Sequence, residues 1–382
     1  MPPLTPRGVA PLHRTVTPVH ILGAGSLGLF FAQALRQAGV PVTLHVRSSK
    51  AISVLQHGPL LLEQRFKGAS ELLAVKDVTV ELVSSQPPQQ QPPQQPAPQQ
   101  QSSGEHAQLQ TKGGAAAAPI HTLVVATKAT DLQGAVRALR PRLSHTSTLV
   151  LLQNGILAAY QELWQQQLRH SPWPLPRVVV ASVTHGCFLA APGHVVHAGL
   201  GSCTLAEMDA RLPCLTLTGH AAAMDVQGEN QSIQQLLAAP GLQAQLCPSH
   251  RDLMRQLHQK LAVNCCINTL TAMLGCRNGQ LLDQEHTRVL MQAVCGEAHQ
   301  LYNQHLGQSV EELHRVVCQV CESTAGNRSS MLQDLSQGHT TEVEYLLGYC
   351  LAQARSQQVA VPAMVVLYNL IKAKEWVAGR EG

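Results

Sequence analysis

Residues 18–46 restrict the possible folds of this chain more than any other stretch. Val19-His20-Ile21-Leu22 is a short apolar run that ends directly in Gly23-Ala24-Gly25-Ser26-Leu27-Gly28. A helical pattern follows from Leu29 to Gln37, closed by Gly39, and Val40 to Val46 forms a second apolar run. Strand, glycine turn, helix, strand is the setting in which G-x-G-x-x-G carries weight. The glycines allow a tight turn and the close approach of a pyrophosphate, and the helix N-terminus faces its negative charge. The plainer alternative is an empty structural turn.

The end of the second strand bears on which dinucleotide would fit. An NAD site usually places Asp or Glu there, to hold the ribose 2′-OH. This chain has Arg47-Ser48-Ser49-Lys50, and no acidic residue precedes Glu63. Arg47, helped by Ser48, Ser49 or Lys50, suits a 2′-phosphate, so NADPH is the expected cofactor. A solvated basic loop is the alternative. Two more strand ends follow. Ile120 to Ala126 runs into Thr127-Lys128-Ala129, before a helix from Thr130 to Leu139. Thr148 to Leu152 runs into Gln153-Asn154-Gly155. At the carboxyl ends of parallel strands, Lys128 and Asn154 would face one crevice, although either fits ordinary turn chemistry. Val178–Val183 and Gly193–Ala198 read as a pair of strands, with Gly199 to Glu207 continuing the sheet. A short helix (Ser232–Ala238) and a strand (Leu242–Leu246) come next. Residues 84–118 are Gln-, Pro-, Ser- and Ala-rich and read as a disordered surface insertion. Residues 208–231 read as a second soft insertion.

From Arg251 the pattern is helical: Arg251–Leu274, Thr287–Leu306, Val310–Cys321, Thr341–Gln357 and Met364–Val377. The expected fold class is therefore α/β plus all-α, an N-terminal Rossmann dinucleotide-binding domain followed by an all-helical C-terminal domain. The expected bounds are a leader at 1–17, the Rossmann domain at 18–249 and the helical domain at 250–382. Within the first helix, Lys260, Asn264 and Asn268 fall at i, i+4 and i+8, a single polar stripe about 12 Å long. The residues between them are apolar. Buried ammonium and amide groups need partners. These come either from another helix, as a polar seam, or from a polar small molecule in a cleft. Between two later helices runs Ser323-Thr-Ala-Gly-Asn327-Arg328-Ser329-Ser330-Met331-Leu-Gln-Asp334, then Gly338-His339-Thr340-Thr341-Glu342. Helix capping by Thr340 or Thr341 explains Glu342 at a helix start. It leaves the dense polar run before it unexplained.

Composition narrows the function classes. With 45% apolar and 13% charged residues, the 382-residue chain is long enough for two domains with real cores. A net charge of +4 with 3% aromatics, and no basic run with interleaved aromatics, gives no nucleic-acid footprint. No window carries the roughly 20 unbroken apolar residues of a membrane span. Eleven cysteines, an odd number, read as free thiols in a reducing compartment. Cys318-x-x-Cys321 after His314 lacks a second pair at zinc spacing, so no metal is expected. Most of the 19 histidines sit beside Gln and Ser and read as solvated. The leader, Met1 to Thr17, has Arg7 and Arg14 and no acid, a mitochondrial hint. It is short and broken by four prolines, so a cytoplasmic location is expected.

Together Gly23–Gly28, Thr127-Lys128, Leu152-Gln-Asn154-Gly155, Lys260-Leu-Ala-Val-Asn264-x-x-Ile-Asn268 with Thr271-Ala272, Asn327-Arg-Ser-Ser330-Met-Leu-Gln-Asp334 and Thr341-Glu342 resemble the ketopantoate reductase (2-dehydropantoate 2-reductase) family of the 6-phosphogluconate-dehydrogenase-like superfamily. The resemblance runs from Val19 to Glu375 apart from the two insertions. It implies NADPH-dependent reduction of 2-dehydropantoate to pantoate, on the way to pantothenate and coenzyme A, in a cleft between two domains. It implies Lys260 as catalytic acid and Glu342 as its acidic counterpart toward substrate and cofactor. It further implies Asn264, Asn268, Asn327 and Ser330 on the substrate, and Asn154 between substrate and cofactor. Gly23, Ala24, Gly25, Ser26, Leu27, Gly28, Arg47 and Lys128 fall to the cofactor. The implied partner is a small 2-oxo acid, without nucleic acid or membrane, in a monomer or homodimer. Two departures stand out: Thr269 replaces the family's common Pro, and His258 its frequent Trp. A reductase for a related 2-oxo acid and a non-catalytic NADPH sensor or scaffold are the competing readings.

Overall fold

The computed structural model describes residues 17–47, 55, 60–66, 69–75, 77–83, 118–169, 176–208 and 230–379. The leader up to residue 16, Ser48, Ser49, Lys50, the Gln/Pro segment 84–117 and most of the second insertion (209–229) lie outside the described residues.

The glycine turn does what its spacing predicts. β1 (Val19–Leu22) and β2 (Val42–Val46) pair in parallel, joined through α1 (Ser26–Gln37). Gly23 takes φ +105, and a side chain on Gly28 would overlap the Gly23 carbonyl oxygen, so the helix can enter this close to the strand only without a Cβ. The sheet continues with β5 (Val78–Leu82), β6 (Thr122–Val125), β7 (Thr148–Leu151), β8 (Arg177–Val183), β11 (Cys203–Met208) and β12 (Ala244–Leu246) in the order β12-β11-β8-β7-β6-β1-β2-β5. All neighbours are parallel except β11 against β8. β1, β6 and β7 are buried along their whole length, as expected of parallel strands covered on both faces.

Val178–Val183 and the 193–198 strand do not pair with each other. β8 lies in the large sheet against β11. β10 (His194–Gly199) belongs to a second sheet of order β4-β3-β10-β9, with β3 (Leu60–Phe66), β4 (Ala69–Val75) and β9 (Gly186–Ala191). The small sheet packs on α1 through Leu60, Leu62 and Val195, which share one apolar cluster with Phe30 and Phe31. Five histidines are buried rather than solvated: His20, His45, His185, His197 and His258. Each finds a partner that a neutral ring can use. His20 meets His45 at 2.8 Å, His185 meets His197 at 3.0 Å, and His258 Nδ1 reaches the Met254 carbonyl at 2.8 Å. Burial pushes His20, His45, His197 and His258 down to about 4, so these rings are neutral at pH 7.

α2 (Leu132–Leu139), α3 (Ile156–Leu163) and the short α4 (Gln231–Leu237) complete the α/β part. The rest is helical: α5 (His250–Leu274), α6 (Glu285–Leu306), α7 (Val310–Ser323), α8 (Ser330–Ser336), α9 (Tyr349–Gln357) and α10 (Pro362–Ala378). The dense polar run between two later helices contains α8, with Ser329 as its N-cap accepting from the Leu332 N–H. Glu342 stands just before the helical turn at Val343–Gly348, not inside it. α5 is the axis of this half, packed by α6, α7, α8 and α10. Ser249 caps its start, Gly275 at φ 68 ends it, and Lys374 Nζ holds its last carbonyls, Ala272 at 2.8 Å and Met273 at 3.1 Å. The departures from the family pattern are accommodated. The fully buried Thr269 hydroxyl returns to the Cys265 carbonyl at 2.5 Å, and His258 stacks on His305 with centroids 4.5 Å apart. No described helix is long and apolar enough to cross a membrane.

The two halves share one apolar core, which runs from Leu123, Leu149 and Val178 into Leu257, Leu261 and Leu346. They approach closely at Gly155, where φ is +62 and a Cβ would come 2.5 Å from the Tyr345 carbonyl oxygen. Gly155→Ala is therefore expected to cost about 2–4 kcal/mol in urea unfolding. Gly39→Ala, at φ +77 but in open space, should cost only about 1 kcal/mol. Equal effects of the two changes would remove the close-approach argument.

Candidate active site

β1, β6, β7 and β8 are neighbours and parallel, so their carboxyl ends form a row. Along the row stand the glycine turn, Lys128, Asn154 and the Val183 carbonyl. The helical half answers almost every one of these ends with a polar group. Lys260 Nζ donates to the Val183 carbonyl at 2.8 Å. Asn154 Nδ2 donates to Glu342 Oε2 at 3.4 Å, and the Ala129 N–H donates to Glu342 Oε1 at 3.0 Å. Lys128 Nζ donates to Asp334 Oδ1 at 2.6 Å. Glu342 is held in place from behind, because Glu375 of α10 accepts from the Thr341 N–H at 2.8 Å and from its hydroxyl at 2.7 Å. The same hydroxyl accepts from the Val343 N–H, although the helical turn itself starts at Val343 without a side-chain cap.

The polar stripe of α5 faces this row. From Leu261 to Ala272, Asn264 and Asn268 are the two residues that are not buried. Neither amide has a hydrogen-bond partner among the described residues, which is the cleft pattern and not a satisfied seam. Lys260, Asn264 and Asn327 line a cleft of about 940 Å³ between the β8 end and α5, with Ser182, Thr184 and Thr324. Lys260 and Asn264 also line a small neighbouring pocket with Gln153 and Gly155. Asn268 and Ser330 do not line the large cleft. Ser330 is exposed at the first turn of α8. Its neighbour Ser329 is buried, committed both to its capping bond and to a 2.7 Å bond from the Thr271 hydroxyl.

Burial shifts the ionisation of Lys260 and Glu342 in opposite directions. Burial lowers the Lys260 pKa to about 8, against the weaker opposing pull of Cys203 and Glu342. Cys203 is itself held neutral, pushed up to about 12 by burial. Burial raises the Glu342 carboxyl above its usual range, although the Ala129 N–H and the Asn154 amide favour its charge.

The glycine turn fits a dinucleotide. No side chain caps α1 and no acid stands in its first turn, so its leading N–H groups are open to an anion. Above Gly25 the nearest atom a Cβ would meet is the Ala126 carbonyl oxygen, 4.0 Å away, which leaves room for a phosphate. Arg47 lies apart from the cleft, paired with Asp131 at 2.6 Å. Several groups escaped the sequence reading: Asp334 as partner of Lys128, Asp131 as partner of Arg47, and Gln153. Gln153 Nε2 ties the β7 end to the Val125 and Thr127 carbonyls at 2.9 and 3.2 Å. Asp334 lay inside the motif run, but nothing in local spacing links it to a lysine 206 residues away. Cys318 and Cys321 lie three apart on α7 and differ in burial. Cys318 is half-buried, 3.7 Å from His314, while Cys321 is buried in the core.

A nucleotide-ready glycine turn opening on a polar cleft, with a helical half closing the other side, defines a two-domain nicotinamide-dependent oxidoreductase. The ketopantoate reductase PanE/ApbA family model matches residues 19–210, and the model of its C-terminal part matches 252–375. The 2-dehydropantoate 2-reductase of Yersinia pestis is 32% identical over 255 residues, 66% of this chain and 74% of that protein. This chain belongs to the ketopantoate reductase family. Among solved structures, a PanE/ApbA family ketopantoate reductase from Ralstonia eutropha JMP134 superposes with a TM-score of 0.69 at 22% identity, covering 95% of this chain and 99% of that one. A D-mandelate dehydrogenase with NADH and anilino(oxo)acetate gives the same TM-score at 18% identity, with coverage of 95% and 99%. These two share the fold.

Asp334→Ala and Lys128→Ala are each expected to lower stability by about 1 kcal/mol, since Lys128 is partly solvated. A double-mutant cycle in thermal unfolding should show them coupled, and zero coupling would refute the bond between the halves.

Proposed function

We propose that the chain reduces 2-dehydropantoate to pantoate with NADPH and that Lys260 is the acid; its Yersinia pestis relative is named a 2-dehydropantoate 2-reductase. The observation that supports this most directly is the Lys260 ammonium at the cleft wall. Its pKa is lowered to about 8, with Asn264 one turn further along. The nicotinamide, when bound, would supply the hydride for the 2-oxo carbon, leaving negative charge on the carbonyl oxygen. Lys260 stabilises that oxygen and donates the proton to it. Val183 holds the ammonium at its present position through the 2.8 Å bond. Asn264, Asn268 and Asn327 offer amides to hydroxyl and carboxylate oxygens, and Ser330 supplies a free hydroxyl at the start of α8. Glu342 accepts from the substrate hydroxyl. It also orients Asn154, which stands between substrate and cofactor. Toward the cofactor, the backbone of Gly23, Ala24, Gly25, Ser26, Leu27 and Gly28 receives the pyrophosphate, Lys128 sits at the next strand end, and Arg47 takes the 2′-phosphate.

A second reading keeps the chemistry and enlarges the substrate to a bulkier 2-oxo acid. The cleft of about 940 Å³, walled by Val263, Val316 and Val320, favours it. NADPH oxidation with 2-dehydropantoate and with aryl and branched 2-oxo acids decides between them. NADPH binding without turnover of any of these acids would leave a sensor or scaffold and end the enzyme reading.

Lys260→Ala is expected to lower kcat about 10²–10⁴-fold with NADPH binding nearly intact. In the unaltered enzyme kcat/KM for reduction should hold below pH 8 and fall above about pH 8, because the acid is the protonated lysine. A pH profile flat through this range, or an active Lys260→Ala enzyme, would reassign the acid.

A further inference from the structure

Arg47 follows β2, and Asp131 closes the short turn Ala129–Asp131 after β6. β1 lies between those strands. The two residues therefore reach toward each other across the carboxyl end of β1, beside the glycine turn. Arg47 Nη2 and Asp131 Oδ2 stand 2.6 Å apart, with the side chains 44% and 40% exposed. Among the described residues Asp131 takes only this one donor, and the remaining guanidinium N–H groups stay open. Resting on the dinucleotide reading above, we infer that Asp131 sets the cofactor preference by supplying, from β6, the acid that the end of β2 lacks.

A carboxylate at this point accepts a bond from a ribose 2′-OH, the role normally given to the acid after the second strand. It also opposes a 2′-phosphate, which brings roughly −1.5 to −2 charges at pH 7 to the same guanidinium. Arg47 is then one cation shared between two anions. When the phosphate takes the open N–H groups and Asp131 keeps Nη2, the two anions lie on opposite edges of one guanidinium plane and repel. When the phosphate displaces Asp131, the ion pair is lost. Both routes weaken NADPH, whereas NADH meets neither. The preference for NADPH that Arg47 creates is therefore narrow, and Asp131 is the residue that narrows it.

Titration calorimetry with 2′,5′-ADP and 5′-AMP tests this without turnover, because the two fragments differ by the 2′-phosphate. Asp131→Asn should tighten 2′,5′-ADP about tenfold and leave 5′-AMP unchanged or weaker, while Asp131→Glu keeps the wild-type ratio. The gain should shrink as salt rises from about 0.05 to 0.5 M. The change is safe for folding, since the side chain is partly exposed and the backbone N–H of residue 131 keeps its bond to the Lys128 carbonyl. If Asp131→Asn binds 2′,5′-ADP no better than wild type, the assignment is overturned. Weaker binding also overturns it, reducing Asp131 to a brace for Arg47. If a folded wild-type protein binds neither fragment, the cofactor site itself fails, and the proposed function fails with it.

Discussion

The arrangement of the site depends on one carboxylate that finds both its partners on the other half of the molecule. Glu342 leaves the helical half and is answered by the Ala129 N–H after β6 and by the Asn154 amide after β7. A buried carboxylate needs such donors, because removing its charge from water without them is costly. Satisfying them fixes the height of the helical half above the strand ends. Glu375 and Thr341 fix Glu342 from behind, so the constraint runs from α10 through one side chain into the sheet. Gly155 records the same close approach in the backbone, since no Cβ fits beneath Tyr345.

That geometry also explains the charge states. The burial that raises Glu342 lowers Lys260. Each group moves toward neutrality from its own side, the ammonium downward and the carboxyl upward, because burial penalises both charged forms. The pair of Lys128 and Asp334 lies next to them and is partly solvated, so it steadies the contact while adding little electrostatic energy of its own.

The readable parts of the chain were those written in a local period. A glycine turn between two apolar runs, strand ends carrying Lys128 and Asn154, and a polar stripe at fourfold spacing each state their geometry within about ten residues. The small sheet has no such signal. β3 pairs with β10, more than 130 residues later in the chain, and β9 is largely exposed, so its sequence does not alternate cleanly. α8 has only seven residues, too few for a helical period to emerge from a run of Ser and Asn. The burial of five histidines was not legible because His20, His45, His185 and His197 pair with one another 25 or 12 residues apart, and His258 turns to the Met254 carbonyl. Asp131 and Asp334 were missed for the same reason, since their cations lie 84 and 206 residues away.

The polar stripe on α5 is fixed in direction by the packing of its helix. Its other faces lie in a continuous apolar core, and both its ends are capped, so rotating the stripe away from the cleft would expose Leu261, Cys265 and Ile267. The amides of Asn264 and Asn268 stay without a protein partner because satisfying them internally would require turning that whole helix. Side chains one turn apart on a helix held this way keep a fixed spacing of about 6 Å, set before any ligand arrives. The helix thereby holds Lys260 and Asn264 in the cleft wall and keeps Asn268 in line with them, just outside the large cleft.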